Sequence, residues 1–322
     1  MAHHFEVLTL DDLMHEAVDV LMSEGIHITP TKGGCREVAA ATFELANPRA
    51  RVSRSATRGR LFSALGELCW YLSGSNRTED IAYYVSFYRR LDEDGVIFGG
   101  YGPRLFSFDG VNQVDYVIQT LRDSPSSRKA VIQLFDHQDV TGDHADVPCT
   151  CTLQYLVRDG FLSAITYMRS NDVFKGLPHD IFCFTMLQEY IARSVGVGLG
   201  PYHHMVGSLH MYDADAGDLG AFVAEGWQGT TRVMPPMPPG DPQTGLARLL
   251  GVEQQLRTGT SPGSVDFGPG PYWADLGRML GVYAVRNGPR ETIERLRSQM
   301  DSDYYDIYIA DRADALDQRR QG

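Results

Sequence analysis

The stretch from residue 149 to residue 196 constrains this chain more than any other. Residues 149–157 alternate, with Cys151, Leu153, Tyr155 and Val157 on one parity, then reach Asp159-Gly160 and resume through Met168. An Asp-Gly pair between two such runs marks a hairpin turn, because its residues tolerate positive φ. A polar loop, residues 169–178, follows, and then a helical pattern over about 181–195 that Gly196 should stop. A hairpin feeding a long apolar helix requires a sheet with a helix packed on it.

Residues 10–22 set Leu10, Leu13, Met14, Ala17, Val18 and Leu21 on one helical face, with Thr9 placed to cap the start and Gly25 to end it. A basic stretch (Arg49, Arg51, Arg54, Arg58, Arg60) leads into a second helix, 61–72, whose apolar face is Leu61, Leu65, Leu68, Cys69 and Leu72. Residues 130–135 are a buried-strand candidate. The run Met234-Pro235-Pro236-Met237-Pro238-Pro239-Gly240 is the best internal boundary. Beyond it the pattern predicts a helix near 244–256, a Gly/Pro-rich connector through Gly270 and two more helical stretches. Strands and helices alternate without clean βαβ units, which favours an α+β fold over a doubly wound sheet. We expect a unit over 1–240 and a helical C-terminal extension over 241–322.

Lys plus Arg number 29 against 41 Asp plus Glu, a formal charge of −12. Such a chain repels polyanions, so nucleic acid and anionic membranes are not expected partners, although a small anion could bind where a few Arg and Lys converge. No run approaches the length of a membrane span, and the start lacks the pattern of a signal peptide. Five cysteines (Cys35, Cys69, Cys149, Cys151, Cys183) form an odd, sparse set. That argues for free thiols in a reducing cytoplasm.

Three places could carry chemistry. Cys149, after Pro148, is either a buried core thiol or a nucleophile whose pKa Arg169 lowers; Cys151 shares its parity, so alternation cannot choose between them. The Pro148-Cys149-Thr150-Cys151 run also invites a zinc-deaminase reading. Its cysteines are one residue apart, not two, and the upstream trio is His144-Ala145-Asp146, so no metal site is expected. The adjacent His203 and His204 would point apart on a strand. Glu67 interrupts an apolar helix, either as a boundary residue reaching solvent or as a buried carboxyl with a raised pKa suited to proton relay. The segment 169–180 is denser in polar residues than a loop with a helix cap at Asp180 needs.

These residues together resemble the thymidylate synthase superfamily. The resemblance rests on Pro148-Cys149, on Arg169-Ser170-x-Asp172-Val173-Phe174-x-Gly176-Leu177-Pro178 and on Gly207-x-x-His210-x-Tyr212, in that order. It is supported by Glu67-Leu68-Cys69-Trp70-Tyr71-Leu72-x-Gly74, by Asp92-Glu93-x-Gly95 before Gly99-x-Tyr101-Gly102, and by Ser127-Arg128-Lys129 before a strand. It covers about residues 10–240. The fold it implies is α+β, a large twisted mixed sheet flanked by helices, with two subunits packed sheet against sheet. The activity it implies is one-carbon transfer from 5,10-methylenetetrahydrofolate to C5 of a pyrimidine nucleoside monophosphate, with Cys149 attacking C6.

On the same resemblance, Arg169 and Ser170 hold the 5′-phosphate, with Arg128 and Lys129 reaching over from the second subunit of a homodimer. His210 and Tyr212 contact the sugar 3′-hydroxyl, and Asn171 and His179 also border the nucleotide. Asp172 holds the folate pterin, Glu67 organises water and shuttles protons, Tyr101 is the active-site tyrosine, and Lys32 or Arg36 closes over the phosphate.

Three departures from the family pattern matter. The methylating enzymes have Asn where this chain has Asp180. An amide complements the O4 and N3–H edge of uracil. A protonated carboxyl complements cytosine, accepting from N4–H and donating to N3. Asp at this place resembles the deoxycytidylate hydroxymethylases. The residues flanking the Asp-Glu pair are Leu91 and Asp94 where methylating members have tryptophans. The segment 316–322 is polar and basic where those members carry a short apolar tail that seals the site for hydride transfer. The expectation is therefore a cytidylate 5-hydroxymethylase acting on CMP or dCMP, with water completing the hydroxymethyl group. The alternatives are methylation of dUMP and, from a different class, a non-catalytic nucleotide-binding module.

Overall fold

A computed structural model describes residues 3–30, 32–59 and 61–321, with side chains through Leu316. Arg60 of the basic stretch and the side chains of 317–322 lie outside the described residues. In chain order the elements are β1 (His3–Val7), α1 (Leu10–Glu24), β2 (Ile26–Ile28), β3 (Cys35–Leu45), α2 (Leu61–Leu72), α3 (Thr78–Ala82), α4 (Tyr101–Phe106), α5 (Gln113–Asp123), β4 (Val131–Gln133), β5 (Thr150–Arg158), β6 (Phe161–Asp172), α6 (Leu177–Val195), β7 (Gly198–Tyr212), α7 (Ala216–Ala224), α8 (Gln243–Arg257), α9 (Pro271–Ala284), α10 (Arg290–Ser298) and α11 (Asp306–Gln321).

The strands form one mixed sheet in the order β1-β3-β7-β6-β5-β4, with β2 pairing β3. This is the α+β arrangement expected. The β5–β6 hairpin turns at Asp159 and Gly160, whose φ values are +50° and +81°. Thr9 caps α1 through a reciprocal capping box with Asp12, satisfying two N–H groups that would otherwise be orphaned. Gly196, at φ +84°, ends α6 in the left-handed region where a Cβ would be strained.

Three expectations need correction. The segment 169–178 is not a loop throughout: β6 continues to Asp172, because Ser170, Asn171 and Asp172 pair in parallel with Ser208, Leu209 and His210 of β7. Secondly, β6–α6–β7 is a true parallel crossover, and β1 also runs parallel to β3, so βαβ units are present within the mixed sheet. Finally, β4 spans only Val131–Gln133. Leu134 and Phe135 both donate their N–H to the carbonyl of Cys151, which sits in a β-bulge between Thr150 and Thr152, and the ladder ends there.

Helix α6 packs on β6 and β7 and carries Asp180, and α2, which carries Glu67, packs on α6. The Met-Pro run after residue 233 lies against this layer, with Met234 and Met237 buried and the Met237 N–H donated to Glu189 of α6. Glu189 also pairs with the fully buried guanidinium of Arg51. Beyond the run, three helices follow α8 where two were expected. Helices α8 and α9 pack on α2, and Tyr84 donates to Glu253 at 3.0 Å. Tyr308 of α11 donates to the Ser53 carbonyl at 2.9 Å. Among the described residues no helix is long and apolar enough to cross a membrane, and all five cysteines are free thiols.

Candidate active site

Cys149 stands one residue before β5, half-buried. Cys151 is the extra residue of the bulge, so simple alternation does not relate the two thiols, and only Cys149 has Asp180 among its charged neighbours. Arg169 Nη2 lies 3.8 Å from the Cys149 sulfur, while its Nε and Nη2 donate to the carbonyls of Pro148 and Val147 at 2.9 and 3.1 Å. Burial pushes the Cys149 thiol above its ordinary value; Arg169 and Lys32 pull it down, and Asp180 and Asp146 push it up. The expected lowering by Arg169 is thus present but outweighed by desolvation.

Glu67 is buried, which removes the solvent-reaching alternative, and its carboxylate is held at both ends. Tyr71 and Tyr88 donate to Oε1 at 2.9 and 2.6 Å, and His179 Nδ1 lies 2.8 Å from Oε2. Burial alone would raise its pKa. The bonds from His179, Tyr88 and Tyr71 together outweigh burial and lower it, so the expectation of a raised value is corrected. His179 is itself fixed, with Nε2 3.0 Å from the Ser63 hydroxyl.

Asp180 lies in the first turn of α6 and is buried. Its Oδ2 accepts from Asn171 Nδ2 at 2.8 Å; Asn171 Oδ1 faces His204 Nε2 at 2.8 Å, and His204 Nδ1 is 3.0 Å from the Tyr202 hydroxyl. Burial, with Glu67 and Asp172 nearby, holds the Asp180 carboxyl well above the ordinary range despite the Asn171 bond. Asn171 therefore spends both ends of its amide on protein partners. Tyr101 donates to Thr150 Oγ1 at 3.0 Å and accepts from the Thr150 N–H at 3.1 Å, and desolvation raises its phenol well above the ordinary value.

Asp172 Oδ1 accepts from the N–H groups of Phe174 and Lys175 at 2.8 and 3.2 Å, and burial raises its carboxyl. His210 and Tyr212 stand edge to face, 5.0 Å between ring centroids. Asp172 shares an electrostatic neighbourhood with both rings. Ser170 is half-buried on the same strand. Of the two early-loop cations, Lys32 acts on Cys149 and Asp146, whereas Arg36 is drawn to the Gly25 carbonyl at 3.4 Å. Arg128 and Lys129 are exposed, and their side chains make no ion pair or hydrogen bond among the described residues. His144 pairs with Glu93 at 3.1 Å and stacks on Phe98, so it does not join the cysteines.

Electrostatic contacts thus link the Cys149 thiol to Arg169, Tyr101 and Asp180, and Asp180 in turn to the buried Glu67. The thymidylate synthase family model matches residues 35–228, more than half of the chain. The chain belongs to the thymidylate synthase family. Two thymidylate synthases of Bacillus licheniformis are each 34% identical to it over 160 residues, covering 47% of this chain and 57% of the relative. The chain thus matches little more than half the length of these curated relatives.

Within this thymidylate synthase scaffold the structure adds residues that sequence reasoning missed. Tyr71 sits four residues after Glu67, a helical spacing that offers it as a partner. Ser63 stands four residues before Glu67 on the same helix, whereas Tyr88 and Asp146 come from separate segments that no helical spacing ties to Glu67. The divergence of His203 and His204 was legible: His203 lies 3.7 Å from Glu44, and His204 is fully buried on the other face. Its partner Asn171 was not.

Proposed function

We propose that this protein is a cytidylate 5-hydroxymethylase. Cys149 Sγ, as thiolate, adds to C6 of the pyrimidine and makes C5 a carbon nucleophile. C5 takes the one-carbon unit of 5,10-methylenetetrahydrofolate and loses its proton. Tetrahydrofolate departs, leaving an exocyclic methylene. Water adds its oxygen to that methylene, and the Cys149–C6 bond breaks to release the 5-hydroxymethyl nucleotide. Glu67, held as an anion, organises the water and relays protons. Arg169, Ser170 and Lys32 hold the 5′-phosphate, with Arg128 and Lys129 supplied by the second subunit of a homodimer; bidentate guanidinium contacts suit a phosphate. His210 and Tyr212 hold the sugar 3′-hydroxyl. Asp172 Oδ2, without a protein partner among the described residues, accepts from the pterin. Residues 1–240 form the catalytic unit and 241–322 a helical addition to it.

The observation that carries this reading is the buried Asp180 carboxyl, held above the ordinary range where the methylating enzymes have an amide. A neutral carboxyl donates to N3 and accepts from N4–H, the cytosine edge. His179, the competing reader of N3, has both ring nitrogens engaged by Glu67 and Ser63. The second reading, methylation of dUMP, draws on the names of the two relatives. The test is to incubate CMP, dCMP and dUMP side by side with methylenetetrahydrofolate. A 5-hydroxymethyl cytidine nucleotide without dihydrofolate supports the proposal. Turnover of dUMP with dihydrofolate formation overturns it, and binding without turnover of any nucleotide supports a non-catalytic module.

A further inference from the structure

Behind Asp180 runs a buried file of hydrogen bonds that no step above uses. Asp180 Oδ2, Asn171, His204 Nε2 and Nδ1, the Tyr202 hydroxyl and the Thr166 hydroxyl follow one another at 2.8, 2.8, 3.0 and 2.9 Å. Thr166 and His204 are essentially without solvent exposure, and Tyr202 is at 0%. Desolvation lowers the His204 imidazole to about 3, so it stays neutral and carries one N–H. With Asn171 Oδ1, an acceptor, facing Nε2, that N–H belongs on Nε2, and Nδ1 is left to accept from the Tyr202 hydroxyl. The two hydroxyls can each turn, so Thr166 can satisfy the Tyr202 oxygen.

We propose that His204 is a positioning residue that locks the Asn171 amide and thereby decides which oxygen of Asp180 carries the acid proton. This rests on the cytosine-reading role proposed for Asp180. Asn171 Nδ2 donates into Asp180 Oδ2, so Oδ2 stays an acceptor and the proton resides on Oδ1, which has no protein partner among the described residues. Oδ1–H then meets N3 of the base, and the second lone pair of Oδ2 receives N4–H. Were the amide reversed, its oxygen would draw the Asp180 proton onto Oδ2, and N3 would lose its donor. A buried file of this kind has only these two consistent directions, because each group donates to the next.

The arrangement also explains what an amide at 180 would meet. To read uracil, its NH2 must take the place of Oδ2, where it faces the NH2 of Asn171, donor against donor. Base selection therefore rests on the pair of residues 171 and 180 together, with His204 as the lock.

The experiment measures kcat/KM for cytidine and uridine monophosphates in the same preparation, so the ratio is independent of the folded fraction. His204→Leu and Asn171→Ala should each lower the cytidine-to-uridine ratio roughly tenfold or more, the scale of one unpaired buried group. His204→Gln, whose amide N–H can still reach Asn171 Oδ1, should keep the ratio within roughly threefold of wild type. Asp180→Asn alone should lose the cytidine nucleotide with little uridine gain; adding Asn171→Ala should release that gain. An unchanged ratio in both His204→Leu and Asn171→Ala overturns the lock. So does a full uridine gain from Asp180→Asn alone, which would leave the cytosine role of Asp180 standing. If Asp180→Asn does not move the ratio at all, the cytosine role itself fails.

Discussion

Replacing Glu67 by Gln removes a charge while keeping the shape of the side chain. In the wild type, three donors converge on the carboxylate: Tyr71 and Tyr88 on Oε1, and His179 on Oε2. An amide oxygen can keep the two tyrosines, but its NH2 then faces His179 Nδ1. The imidazole can answer by moving its proton to Nε2, where the Ser63 hydroxyl can accept. What is lost is the charge assistance. Bonds to a charged group contribute about 1.5–3 kcal/mol against about 1 kcal/mol for neutral ones, while burying the charge has its own cost, so the net loss should be about 1–3 kcal/mol at neutral pH.

The sign with pH follows from the lowered pKa. The folded value lies below the ordinary value of 4.5, so this stabilisation is present above that value and disappears as pH falls through the folded one. Thermal unfolding of wild type and Glu67→Gln from acid to neutral pH should show a gap that closes in acid. Turnover should fall about 10²–10⁴-fold, the range for a positioned proton relay, with nucleotide binding little changed. A Glu67→Gln enzyme that keeps kcat within a few fold, or whose stability gap persists in acid, refutes this account of Glu67.

Other outcomes follow from the same site. Cys149→Ser should abolish tritium release from C5 of the pyrimidine while Cys151→Ser stays active; because burial raises the Cys149 thiol, wild-type release should climb as pH rises through the neutral range. The reverse pattern for the two serines would place the nucleophile in the bulge. Arg128→Ala should raise the nucleotide KM, and mixing it with Cys149→Ser under subunit exchange should recover activity through hybrid sites; no recovery counts against a shared phosphate site. Asp180→Asn should raise the melting temperature at neutral pH, since a carboxyl whose folded pKa is raised weakens folding above its ordinary value, and the gain should vanish below about pH 4.

Much of the fold was legible because local rules and tertiary packing agree. Capping chemistry at Thr9 set the start of α1, the leucine spacing set α2, and Asp159-Gly160 set the hairpin. Where the reading failed, the deciding partner was distant in sequence. Ser170, Asn171 and Asp172 look like a polar loop by composition, yet their backbones are held by β7, and the Asn171 amide is buried against Asp180 and His204. The direction of the Glu67 shift depends on Tyr88 and His179, and no periodicity reports those contacts. The His204 side chain could be assigned to the inner face by parity, but its bond to Asn171 spans 33 residues. Residue identities at Cys149, Glu67, Tyr101 and Asp180 marked the candidate site; the directions of their pKa shifts needed the packing around them.

The most direct test of the central claim follows the oxygen. Turnover of a cytidine monophosphate with methylenetetrahydrofolate in heavy-oxygen water, read by mass spectrometry of the nucleotide, should give a 5-hydroxymethyl product carrying the solvent label, with tetrahydrofolate as the folate product. A 5-methyl nucleotide free of the label, formed together with dihydrofolate, would contradict it.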